Sequence, residues 1–219
     1  MKTRELKQHY RDNQPEIENR IKEFKGLKES GEERIFQELI FVILTSQTDA
    51  KKAWEAAQEV EEKGLLLDGS REQIKDILAK NEVQYEENKA KYILENREFL
   101  TQPTLTNPEK GLKLKEKIFD KNPEKVREWL VENIKGLSWK GASHFLRNIG
   151  YGKDFAIISG HIIRKMHQLE LIEEAEQPKN KEQYLKYERK LQEFSEDIQI
   201  PLEELDLVLW SYETGEIFK

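Results

Sequence analysis

Ile134-Lys-Gly-Leu-Ser-Trp-Lys-Gly-Ala-Ser-His-Phe-Leu-Arg-Asn-Ile-Gly150 reads as the end of one helix, a short turn and the start of another. The first helix stops at Ile134, Gly136-Leu137-Ser138 makes the turn, and the second helix begins near Lys140. Glycine at 136 can adopt backbone angles closed to other residues and lets an anionic group approach the main chain. At Ser138 and Gly141 the start of the second helix offers unpaired N–H groups and the positive end of a dipole, a ready seat for a phosphate. Taken alone, such a turn is equally an ordinary connection between two helices.

Outward from this segment, apolar residues recur with helical spacing and no run alternates with period two. The pattern predicts helices at about 4–11, 15–30, 32–47, 49–63, 70–80, 85–100, 107–120, 122–134, 140–149, 159–169, 180–197 and 201–213. Pro15, Pro108, Pro123 and Pro201 are placed to open helices, and Gly64, Gly150 and Gly152 to close them. Ile35, Leu39, Val42 and Ile43 form a core stripe, as do Trp54, Ala57 and Val60. Charge-rich stretches near 101–109 and 173–181 read as connections. The fold class is all-α.

The chain has 219 residues, enough for one large domain or two small ones, with no cysteine, so neither a disulfide framework nor a thiolate metal site is available. A charged N-terminal stretch predicts no signal peptide, and the longest apolar run, Leu39–Leu44, is far short of a membrane span. Charged residues make up 37% of the chain and the net charge is −6. That acidity weighs against nucleic-acid binding, although a local N–H-rich surface decides the matter more than the total.

Beyond the hairpin comes Ala156-Ile-Ile-Ser-Gly-His-Ile-Ile-Arg-Lys-Met166. Together with Lys140–Tyr151, the helix Asn88–Arg97, and Leu205–Trp210 followed by Gly215–Lys219, it resembles the helix-hairpin-helix base-excision glycosylases. The likeness is nearest to the 8-oxoguanine DNA glycosylase/lyases of archaea and thermophilic bacteria, and it spans most of the chain. It implies a helix-hairpin-helix glycosylase fold over 1–219, with two helical subdomains flanking a central cleft. The central subdomain would cover about 30–130. The other would join about 1–29 to 131–219 and carry both the hairpin (131–150) and the base pocket.

By that resemblance Lys140 attacks C1′ of the damaged nucleotide and forms a Schiff base, which needs an amine made partly neutral by burial. The damaged base must first leave the stack. Where the family has an aspartate in the following turn, this chain has Ser159. Serine cannot carry the charge that supports the departing base, a loss of about 10²–10⁴ in rate. It remains a good helix N-cap, so folding and docking are expected to survive. Asp154 is a weaker candidate for the missing carboxylate, and His161 reads as structural. Removing a carboxylate also favours the free amine, so base excision is expected to suffer more than strand cleavage at abasic sites.

Asp206 and Trp210 share a helix face. The resemblance makes them, with Lys219, the groups that hold the oxidised guanine; Trp210 read alone is core. Gln47 either fills the gap left by the flipped base or is simply a polar helix end. DNA-backbone contacts fall to Gly136, Ser138 and Gly141. The carbonyls of Glu132, Ile134 and Leu137 would hold a monovalent cation bridging to phosphate. The resemblance further implies a monomer acting in the cytoplasm, at the nucleoid of a prokaryote, on double-stranded DNA containing 8-oxoguanine or abasic sites. The lysine chemistry calls for no cofactor and no membrane.

Three readings stay open at this stage. The first is a bifunctional glycosylase/β-lyase impaired at Ser159. The second is a lesion or abasic-site binder without catalysis, favoured by the missing carboxylate. The third is a helical scaffold unrelated to DNA, favoured by the acidic charge and opposed by the three separated motifs.

Overall fold

Short oxygen-bearing side chains begin several of the helices in the computed structural model, which describes residues 3–103 and 111–219. Asp49 accepts from Lys51 N and Lys52 N to open α3 (Ala50–Glu62), after α1 (Thr3–Gly26) and α2 (Glu32–Leu44). A short α4 (Leu65–Asp68) leads to Ser70, whose capping box with Gln73 starts α5 (Arg71–Lys80). There follow α6 (Glu86–Thr101), α7 (Leu114–Ile118) and α8 (Pro123–Asn133), the last capped by Asn122 with Pro123 in its first turn. The series ends with α9 (Trp139–Asn148), α10 (Gly160–Gln168), α11 (Lys181–Ile198) and α12 (Leu202–Thr214). Every regular element among the described residues is helical, as the sequence pattern requires.

The chain folds as two compact units, Met1–Lys28 with Leu146–Lys219, and Glu29–Phe145. In the second unit α2 is the central element. Every residue from Ile35 to Leu44 is buried, including Gln37 and Glu38, and α3, α4, α6 and α7 pack around it. A helix buried on all sides is no longer amphipathic, which explains its continuous apolar run. Glu32 at its start accepts from Leu114 N at 2.9 Å and thereby fixes the first turn of α7.

In the first unit α1 packs along α12. Leu6, Ile17, Ile21 and Phe24 face the core, as do Leu205, Val208 and Leu209. Polar contacts fix the register of the pair: Tyr10 Oη donates to Glu204 at 2.8 Å, and Lys25 pairs with Glu203 at 2.7 Å.

Two local expectations change. Pro15 lies inside a single continuous α1 instead of opening a second helix. An interior proline costs about 3 kcal/mol, and the buried stripe on both sides of it, Leu6 before and Ile17 to Phe24 after, offsets that cost. Of the helix expected over 107–120, the described residues show Leu114–Ile118; Pro108 lies outside the described residues. The stretch between Gln168 and Lys181 contains no helix, as its charge pattern suggests. No helix among the described residues is long and apolar enough to cross a membrane.

Candidate active site

The hairpin is built by two contacts from distant parts of the chain and by its own local capping. Gly136 sits at φ +80°, and a Cβ there would lie 2.7 Å from Tyr92 Cδ2 and 3.3 Å from Ile43 Cγ2. Both the backbone angle and the space therefore demand glycine. Asn96, buried in the middle of α6, clamps the turn from behind: its Nδ2 donates to Lys135 O at 3.0 Å, and its Oδ1 accepts from Lys135 N at 2.8 Å. Ser138 then starts α9, accepting from Gly141 N through Oγ at 3.3 Å and from Ala142 N through its carbonyl at 2.8 Å. Gly141 leaves room for Leu137, whose Cδ1 would be 2.9 Å from an added Cβ.

Lys140 is the second residue of α9 and is half-buried. Burial pulls its amine below the ordinary lysine value, since a charged ammonium loses more hydration there than a neutral amine does. The first turn around it is stiffened from α8: Arg127 donates to Ser143 Oγ at 3.2 Å and lies 5.1 Å from the centre of the Trp139 ring. His144 meets Phe41 edge to face at 5.7 Å. What this arrangement provides chemically is an amine of lowered basicity on a rigid helix start, beside a glycine turn; the Gly141 N–H expected to be unpaired is already bonded to Ser138 Oγ.

In the other unit Ser159 is the N-cap of α10, and its Oγ accepts from Ile162 N at 3.2 Å. One turn on, His161 is buried, with Nε2 3.0 Å from Leu209 O and Nδ1 3.1 Å from Glu213. Desolvation lowers its basicity, opposed by those two acceptors. Trp210 on α12 rests against the His161 ring, centroids 5.3 Å apart, and is half-buried. Asp206, one turn before Trp210, lies 3.1 Å from the buried guanidinium of Arg147. Desolvation raises the Asp206 carboxyl, and the Arg147 charge opposes that rise. Lys219 is half-buried, following the buried Ile217.

Back in the unit that holds Lys140, Gln47 is exposed in the turn after α2, at φ +53°, and its Oε1 accepts from Tyr85 Oη at 3.1 Å. Tyr85 is itself at φ +59° and 56% exposed. Left-handed backbone is uncommon at residues other than glycine. Glu132 is exposed near the end of α8, while Ile134 and Leu137 are buried, with Leu137 N donating to Ile134 O at 3.3 Å. Among the described residues no group of three or more His, Asp or Glu side chains could hold a metal ion.

Residues 17–200 match the profile of the 8-oxoguanine DNA glycosylase family. The chain belongs to that family. An 8-oxoguanine DNA glycosylase/AP lyase of Fusobacterium nucleatum is 38% identical over 218 residues, covering 98% of this chain and 96% of the relative. One from Methanocaldococcus jannaschii is 36% identical, covering 93% and 91%. Among solved structures, the 8-oxoguanine DNA glycosylase of Thermotoga maritima superposes with a TM-score of 0.87 at 33% identity, covering 99% of this chain and 98% of that one. The Methanocaldococcus jannaschii glycosylase/lyase bound to DNA containing 8-oxoguanine gives 0.84 at 32%, covering 98% and 99%.

For a member of the 8-oxoguanine DNA glycosylase family, the supporting residues missed by sequence reasoning are Asn96, Lys89 and Arg147. Each is a polar side chain inside a helix and buried. Asparagine in a helix interior is a poor helix former, which is the one available hint that its amide is used elsewhere. Nothing comparable marks Lys89 or Arg147, because lysine and arginine are common on helix surfaces.

Proposed function

We propose that this chain is a bifunctional 8-oxoguanine DNA N-glycosylase with AP-lyase activity, acting in base-excision repair with Lys140 as nucleophile. What supports the reading is the Lys140 amine, held below its ordinary basicity in the first turn of a helix that follows the Gly136 turn. As a free amine, Nζ forms a bond to C1′ while the N-glycosidic bond breaks and the base departs, taking up a proton. The sugar ring opens to a protonated Schiff base. That cation acidifies C2′–H, and loss of this proton expels the 3′-phosphate and cleaves the strand.

The chain's other residues take the supporting roles. Gly136, Ser138 and Gly141 meet the DNA backbone, and a monovalent cation on the carbonyls of Glu132, Ile134 and Leu137 would tie the turn to a phosphate. Asp206, Trp210 and Lys219 receive the flipped guanine, with the indole as stacking surface. Gln47 contacts the duplex beside the vacated position. The protein works as a monomer at the nucleoid of a prokaryotic cytoplasm.

Ser159 divides the two reactions. Its hydroxyl carries no charge to support a departing base, so excision is slow, whereas an existing abasic aldehyde needs only the free amine. Borohydride trapping on 8-oxoguanine DNA, compared with preformed abasic DNA, tests this: strong trapping on abasic DNA and weak trapping on 8-oxoguanine is the expected result. Equal, vigorous trapping on both would remove the argument from Ser159. Trapping on neither, with binding intact, would favour the second reading, a lesion-binding protein without catalysis.

A further inference from the structure

Lys89 is buried in the first turn of α6, although lysine is almost never buried without a purpose. Its Nζ donates to Leu44 O at 2.9 Å, to Ser46 O at 2.6 Å and to Thr48 Oγ1 at 3.0 Å. These acceptors lie at the C-terminal end of α2 and in the turn beyond, where carbonyls lack helix partners and the dipole favours a cation. Desolvation, reinforced by the charge of Lys140, pulls Lys89 down to about 8. An apolar side chain of similar length would fill the space without that penalty, so the ammonium is explained by what it grips. What it grips is the turn that carries Gln47.

That turn is constrained from several sides. Gln47 is held at φ +53°. Thr48 Oγ1, already bound to Lys89, also accepts from Gln84 N at 3.0 Å. A non-glycine residue in left-handed backbone persists only where its surroundings over-determine it. The Lys89 ammonium touches both ends of the turn, alongside the backbone bond from Thr48 N to Thr45 O at 3.4 Å.

We propose that Lys89 is a positioning residue for DNA binding, its ammonium locking the turn after α2 so that Gln47 is presented to the duplex. The proposal rests on the reading of Gln47 as a DNA contact. Full-length Lys89→Met, Gln47→Ala and the double variant are compared for binding to a duplex carrying a tetrahydrofuran abasic analogue. Hydrogen exchange over residues 45–49 is followed in parallel. Each single change is expected to weaken binding about tenfold, with the double variant no weaker than the worse single one. Exchange over 45–49 is expected to quicken in Lys89→Met while the α8–α9 hairpin stays protected. If Gln47→Ala binds normally, the reading of Gln47 fails and the proposal with it. If Gln47→Ala weakens binding while Lys89→Met does not, or if the two losses multiply to about a hundredfold, only the role of Lys89 fails. Should Lys89→Met not fold, Thr48→Val, which removes one of the gripped acceptors, replaces it in the same cycle.

Discussion

Arg147 Nη2 lies 3.1 Å from Asp206 Oδ2, and its guanidinium stands 4.6 Å from the centre of the Phe24 ring. The arginine is thus held by an aromatic face while its charge opposes the desolvation that raises the Asp206 carboxyl. Breaking a buried pair from one side costs about 3–5 kcal/mol, and the 20% exposure of the Asp206 side chain places this case at the low end. Arg147→Met is therefore expected to lose about 3 kcal/mol in urea unfolding. Its affinity for 8-oxoguanine DNA should fall, because Asp206 loses the charge that opposes the rise in its pKa. A loss under about 1 kcal/mol would mean that Asp206 does not depend on this partner.

Restoring the carboxylate is the direct test of Ser159. Ser159→Asp keeps an N-cap oxygen for Ile162 N and adds a charge, so folding should be unchanged. Single-turnover excision of 8-oxoguanine is expected to rise by about 10²–10⁴. No gain would locate the defect elsewhere in the base pocket.

Lys140→Gln should abolish borohydride trapping while leaving binding to abasic DNA within about threefold, since the amide retains the side chain's length and polarity. In the proposed reaction the reactive species is the neutral amine. Because burial lowers the Lys140 pKa, the trapping rate on abasic DNA should climb with pH and level off below the pH at which an ordinary lysine deprotonates. A midpoint at the ordinary lysine value would show that the amine is not desolvated.

Gly136→Ala forces a Cβ to within 2.7 Å of Tyr92 at a left-handed backbone angle. Strain at such a position costs about 1–3 kcal/mol. The expected result is a lower melting temperature together with weaker, less salt-dependent DNA binding as the phosphate seat opens. Unchanged binding in a destabilised variant would separate the turn from the DNA.

The periodicity of the apolar residues carries the fold because most helices bury one stripe, and a stripe is a local property; α2, buried on all sides, shows a continuous apolar run instead. The hairpin was legible for the same reason: Gly136, Ser138 and Gly141 act within a few residues of one another. Pro15 was misread because the packing of α1 overrides a local penalty that sequence alone displays at full strength. Asn96 and Lys89 went unnoticed because their partners lie 39 and 45 residues away, at Lys135 and Leu44. Such pairings exist only once the helices have docked. Arg147 is hidden similarly, its carboxylate lying 59 residues further along the chain.

The Ser159 cap leaves one degree of freedom open to this protein. Serine, threonine, aspartate and asparagine are nearly interchangeable at the head of a helix, so drift among them is almost silent for the scaffold. If Ser159 sets the excision rate as proposed, reactivity changes at that one codon while the helix start stays intact. A lineage could pass from enzyme to damage sentinel and back again without ever going through an unfolded ancestor.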